Sequence, residues 1–165
     1  MPIHFRGPAA QVRALDAFVK LSRASLTLGS RLAGPMQRGH GLTEGQLGVL
    51  EVLLHRGPMP QRDLCTRLLV GASNMTTVLD NLERRGWVRR QTHPDDRRVQ
   101  VVHLTPGGRR VIVPAFRAHA ANITALLGVL RIEEQRQLGR LCRKLGTGAA
   151  GVVLPGETRR QGDTP

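Results

Sequence analysis

Residues 73–85 place apolar side chains at Met75, Val78, Leu79 and Leu82. This i, i+3, i+4, i+7 spacing predicts a helix with one buried face. Its other side carries Ser73, Asn74, Thr76, Thr77, Asp80, Asn81 and Arg84. Gly86 is placed to end the helix, with Arg84 and Arg85 in a last turn where the dipole favours cations. Residues 87–92 and 99–104 then read as two short strands around a charged, turn-prone loop, His93-Pro94-Asp95-Asp96-Arg97-Arg98. A helix of this kind followed at once by a basic hairpin restricts the chain to few folds.

The upstream segment narrows the choice. Thr43 and Gln46 form a capping-box pattern, so a helix begins there and ends before Gly57-Pro58. Pro60 suits the first turn of another helix, with Leu64, Cys65, Leu68 and Leu69 on its apolar face. Residues 70–72 leave a tight turn into the helix at 73–85. The order is helix, helix, turn, helix, hairpin. Long amphipathic segments flank it. Residues 9–33 predict a first helix, stopped by a breaker segment from Gly34-Pro35 to Gly41. Thr105-Pro106 predicts a helix to about residue 130, with Pro114 placed to kink it, and residues 132–145 a last one. The chain then turns Gly-, Thr- and Pro-rich.

Charge narrows the partners. The 165 residues carry a formal net charge of +13, which favours a polyanion, nucleic acid first and an anionic membrane surface second. There is no tyrosine and one tryptophan, so aromatic base-stacking platforms are not expected. Any nucleic-acid contact should come from a helix in a groove and from phosphates. The sequence has no apolar run of 18 residues and no signal-peptide pattern at its start, and a cytoplasmic protein is expected. Its two cysteines, Cys65 and Cys142, have neither disulfide-framework nor zinc spacing. No nucleophile–base pair, paired carboxylates, metal site or phosphate-cradling loop stands out. Neither an enzyme nor a cofactor or metal is expected.

The motifs together resemble the MarR family of regulators. The resemblance rests on Leu42-Thr43 followed by Gln46, Leu64-Cys65 and Ser73-Asn74-Met75-Thr76. It continues through Leu82-Glu83-Arg84-Arg85-Gly86-Trp87-Val88, the Asp96-Arg97-Arg98 loop, and Leu104-Thr105 before Gly108. These pieces cover residues 42–108. The fold implied is mainly α: a winged helix-turn-helix with a two-stranded antiparallel wing and N- and C-terminal dimerisation helices. The organisation expected is a flexible 1–8 and one domain at 9–146. Within it, 9–33 and 106–146 are the dimerisation helices and 42–105 is the DNA-binding lobe, followed by a disordered tail at 147–165. The resemblance implies a homodimer on a pseudo-palindromic operator, usually a repressor, often released by a small phenolic or anionic compound or by an oxidant.

By position, Ser73, Asn74, Thr76 and Thr77 inherit the recognition-helix role, with Asn81 and Arg84 further along the same face. Asn bonds an adenine edge; Thr offers a methyl to thymine or a hydroxyl to phosphate. Arg98 inherits a minor-groove role with Asp96 orienting it, and Arg97, Arg89 and Arg90 lie on or beside the same hairpin. Asp80 is as readily a surface residue as a contact. Arg23 and Arg31 on the first helix, and His40, His55, His103 and His119, are candidates for an effector site; the arginines are equally read as solvated, and each histidine alone is more often a surface or satisfied core residue. Cys65 reads as a small core residue and Cys142 as a dimer-face residue. Either is also a candidate for redox response. Three features depart from the family pattern: Cys65 stands where alanine is usual, there is no tyrosine of the kind that peroxide-sensing members use, and no cysteine lies in the first helix. Trp87 is expected to pack between wing and helix, and tail arginines Arg159 and Arg160 to be solvated. Two rival readings are a winged-helix module for protein or membrane and, more remotely, an enzyme.

Overall fold

The computed structural model describes residues 5–154. The elements run α1 Ala9–His40, α2 Glu44–Arg56, β1 Met59–Pro60, α3 Gln61–Leu68, α4 Ala72–Arg84, β2 Val88–Thr92, β3 Gln100–Leu104, α5 Pro106–Leu127 and α6 Ile132–Ala149. The chain divides into two compact units, 1–123 and 124–165, with the boundary inside α5.

In the first unit α2, α3 and α4 close on a core of Leu47, Leu50, Leu53, Leu64, Met75, Leu79 and Leu82, joined by Val88 and Val102 from the sheet and Ile112 and Ala115 from α5. The spacing in α4 accounts for this: Met75, Leu79 and Leu82 are buried, Val78 is half-buried, and the polar row remains outside. The capping box of α2 forms as expected. Gln46 N–H donates to Thr43 Oγ1 at 3.3 Å and Thr43 N–H to Gln46 Oε1 at 3.1 Å.

β2 and β3 make the antiparallel hairpin, in register from Val88↔Leu104 to Thr92↔Gln100. The sheet has a third strand that the sequence pattern does not place. β1 pairs with β3 through Met59↔Val102 and Pro60↔Val101, so Pro60 lies in this strand and only precedes α3. A two-residue strand is too short to leave an alternation. The base of the hairpin is tied by Thr105, whose hydroxyl donates to Gly86 O at 2.7 Å and accepts from Gly108 N–H at 3.0 Å. Gly108 has no room for a side chain, because a Cβ there would fall 2.1 Å from the Trp87 carbonyl oxygen.

Four boundaries differ from the sequence reading. Gly34-Pro35 does not stop α1, which runs through Pro35 to His40. Pro35 is exposed, so water can serve the carbonyl it leaves without a donor. The stop is Gly41, in the left-handed region at φ 64°, whose N–H closes on Gln37 O. Leu69 does not join the apolar face of α3. It caps that helix at φ 53° and is 92% exposed. α5 ends at Leu127, where Gln135 Nε2 donates to the carbonyls of Leu127 and Leu130, both at 3.0 Å. α6 continues through Gly146 to Ala149, and the Thr147 hydroxyl bonds back to Arg143 O at 2.9 Å. Residues 147–149 are therefore helical, while Arg159 and Arg160 lie outside the described residues. In the second unit, Arg131 N–H donates to Glu134 Oε2 at 2.8 Å at the start of α6, none of whose residues is buried. Among the described residues no single helix is long and apolar enough to cross a membrane.

Candidate nucleic-acid interface

The outer side of α4 carries an ordered ladder. Thr76 Oγ1 donates to Ala72 O at 3.0 Å and accepts from Gln61 Nε2 at 3.1 Å. Thr77 Oγ1 donates to Ser73 O at 3.3 Å, Asn81 Nδ2 donates to Thr77 O at 2.9 Å, and Arg84 donates in turn to Asn81 Oδ1. Ser73, Asn74, Thr76, Thr77 and Arg84 are exposed, and Asn81 is half-buried. The row therefore shares one face, on which the side chains of Thr76, Thr77, Asn81 and Arg84 are held by these bonds. Gln61, at the start of α3, belongs to this face, and no helical periodicity marks it in the sequence.

The hairpin tip is also held. His93 N–H donates to Val99 O at 2.8 Å and closes the loop. Asp96 Oδ1 accepts from Arg98 N–H at 3.0 Å and from Nε at 3.1 Å, while Oδ2 accepts from the guanidinium at 3.2 Å. These bonds hold the Asp96 carboxyl below the usual carboxylate range. The Arg98 side chain remains 91% exposed. One carboxylate thus orients a cation that still faces solvent. Arg97 is exposed beside it. A groove of about 590 Å³ runs between wing and helices, lined by Gln61, Arg62, Cys65, Ala72, Asp96 and Arg98 among others.

Arg90 does not share the outward role of its neighbours. Its guanidinium reaches Asp80 at 2.7 Å and Glu83 at 2.6 Å, and its backbone N–H donates to Glu83 Oε1 at 2.9 Å. It fastens β2 to α4. This accounts for Asp80 as well, which lies on the exposed side of the helix but faces the wing. Trp87 packs under Arg85, whose guanidinium carbon is 4.4 Å from the ring centroid, and Arg85 donates to Gly41 O at 2.8 Å. Arg89 lies opposite His103 across the hairpin. Burial first, and the Arg89 charge second, hold the His103 imidazole below its usual range.

Of the effector candidates, Arg23 is exposed on α1, and His55 sets its ring edge-on to Phe116 at 5.2 Å. Arg23, His40 and His55 line neither of the two spaces between α1, α2, α4 and α5. The first is a cleft of about 510 Å³ that includes Glu44, Glu51, Leu68, Asn74, Val78 and His119. The second is a pocket of about 80 Å³ among Leu32, Met36, Glu44, Leu47 and His119. His119 lines both, and its Nδ1 is buried without a hydrogen-bond partner. Cys65 is half-buried and Cys142 is exposed on α6.

Helix, turn, helix and a wing with an oriented arginine at its tip define a winged helix-turn-helix protein. The MarR family model matches residues 42–99. The HTH-type transcriptional regulator MhqR of Bacillus subtilis (strain 168) is 30% identical over 137 residues, 83% of this chain and 94% of its own length. The HTH-type transcriptional repressor YetL of the same organism is 30% identical over 115 residues, 65% of this chain and 68% of its own. Among solved structures, Sco3205, a MarR family transcriptional regulator from Streptomyces coelicolor in complex with DNA, superposes with a TM-score of 0.78 and 25% identity. That match covers 94% of this chain and 96% of Sco3205. The chain belongs to the MarR family and is a DNA-binding transcriptional regulator.

Proposed function

We propose that the protein is a homodimeric, sequence-specific repressor that binds a pseudo-palindromic operator. In this reading α4 of each protomer lies in the major groove, with Ser73, Asn74, Thr76 and Thr77 towards base edges and Asn81 and Arg84 further along. Arg98, oriented by Asp96 and flanked by Arg97, enters the adjoining minor groove. The observation that carries this is the pairing of an exposed polar row on α4, in which Thr76, Thr77, Asn81 and Arg84 are held by hydrogen bonds, with an exposed arginine held by a neighbouring carboxylate at the wing tip. The name of the relative YetL supports repression. A second copy would cover the apolar stripes exposed on α1 and α6, Phe18 and Leu26 on the one and Leu138, Leu141 and Leu145 on the other. The expected location is the cytoplasm.

Release from DNA is assigned to an aromatic compound in the cleft beside His119. That cleft reaches Asn74 of α4, so its occupant would bear on the reading helix directly. Glu44 and Glu51 on the same wall favour an uncharged or cationic aromatic over an anion.

The test begins with sequencing of the genomic fragments that the purified protein selects. Gel shifts on one such fragment should show Arg98→Ala weakening binding at least tenfold while light scattering still reports a dimer. Selection of no common sequence, or unchanged affinity of the Arg98→Ala variant, would sink the assignment.

A further inference from the structure

The hydrogen bonds of α4 decide what its threonines offer to DNA. A threonine hydroxyl has one proton to give. Thr76 commits that proton to Ala72 O at 3.0 Å, and Gln61 Nε2 occupies a lone pair of the same oxygen at 3.1 Å. Thr77 commits its proton to Ser73 O at 3.3 Å. Neither hydroxyl is left to donate to a phosphate oxygen or to a base acceptor. With the oxygens turned down onto the helix, the methyl groups are what these exposed side chains present outward. Apolar contact with the C5-methyl of thymine is the major-groove interaction that such a surface fits.

We propose that Thr76 and Thr77 read thymine methyl groups, and that Gln61 is a positioning residue that sharpens this specificity at Thr76 by adding a second hold on its methyl-out rotamer. The inference rests on the DNA-reading role proposed above for α4. It adds the chemical group that is read, and a residue of α3 outside the reading helix. The two threonines differ usefully. Thr76 is held from two sides, by its own helix and by Gln61, whereas Thr77 is held by its own helix alone.

The experiment uses the full-length protein and a selected operator in which each thymine is replaced in turn by deoxyuridine, a change that removes only the methyl. Wild-type protein should lose affinity about fourfold at one or two positions in each half-site, the worth of one buried methyl. The Thr76→Ser/Thr77→Ser variant should bind thymine and deoxyuridine operators alike at those positions. Gln61→Ala should reduce the thymine preference at the position lost in Thr76→Ser without abolishing it, because Thr76 keeps its bond to Ala72 O, and should leave the preference unchanged at the position lost in Thr77→Ser. A merely structural Gln61 would instead weaken both operators equally. Specific binding with no deoxyuridine-sensitive position, or sensitivity that survives in the double serine variant, overturns the inference and leaves the regulator reading standing. Failure to bind any selected sequence takes down both.

Discussion

Arg90 sits between two acids of α4, and its side chain is only 26% exposed against 36% for Glu83 and 50% for Asp80. The Glu83 carboxyl is held below its usual range by the Arg90 side chain first and its backbone N–H second. That stabilisation is present at neutral pH and is lost as acid protonates the carboxylate. With allowance for partial exposure, Arg90→Ala should cost about 1 kcal/mol in urea melts. It should also weaken operator binding, since the wing loses its fastening to α4. An unchanged melting midpoint would mean that the cluster is a solvated face. His103 titrates in a different window. Burial lowers its folded pKa below the unfolded value, so the unfolded chain takes up a proton first as pH falls. Stability should therefore fall as pH drops below about 6.5, and His103→Gln should show a flatter decline in Tm between neutral pH and pH 5. Parallel curves for the two proteins would refute this. These residues also mark the limit of what the candidate site discloses beforehand. The exposed row of α4 and the Asp96–Arg98 motif follow from periodicity and local spacing. The inward turn of Arg90 and the Gln61–Thr76 bond join elements 7 and 15 residues apart, and no local pattern encodes them.

Leu69 shows how an element boundary carries strain. It ends α3 in the left-handed region at φ 53° with its side chain 92% exposed, so it contributes little packing to offset the backbone cost. Left-handed backbone costs a non-glycine residue roughly 1 kcal/mol, partly offset in Leu69→Gly by the greater freedom of glycine in the unfolded chain. Leu69→Gly should therefore raise stability by up to about 1 kcal/mol, a gain of 2 to 4 °C in Tm at this chain length. A lower Tm would show that the leucine makes a contact worth more than the strain. The helices themselves were legible in the sequence because their apolar residues recur at fixed spacing and because Thr43, Gly86 and Thr105-Pro106 punctuate them. Two of the misplaced boundaries, at Gly34-Pro35 and at Gly146, share one cause. Proline and glycine are read as stops, yet Pro35 and Gly146 are tolerated inside α1 and α6. A single exposed breaker costs about 1 to 3 kcal/mol, which a long helix can absorb. β1, at two residues, exists only through its partner β3.

At the scale of the molecule, stability and recognition divide differently between the two units. The buried core lies in the first, where α2, α3, α4 and the sheet meet, whereas α6 in the second has no buried residue. Leu138, Leu141 and Leu145 line one side of that helix, exposed by 39%, 57% and 55%. A stripe of this kind marks an interaction surface, and the dimer proposed above would cover it. Leu138→Asn/Leu141→Asn removes the apolar surface without changing net charge and without touching the core, so helical circular dichroism should be retained. Light scattering should report a monomer at micromolar concentration. Two half-sites then bind independently, and operator affinity should fall by at least about a hundredfold, the usual worth of linked binding. The same variant tests charge bookkeeping. The slope of log affinity against log salt counts phosphates neutralised per binding unit, so it should fall to about half the wild-type slope. A variant that stays dimeric, or a monomer with the full slope, would place the dimer face or the phosphate contacts elsewhere.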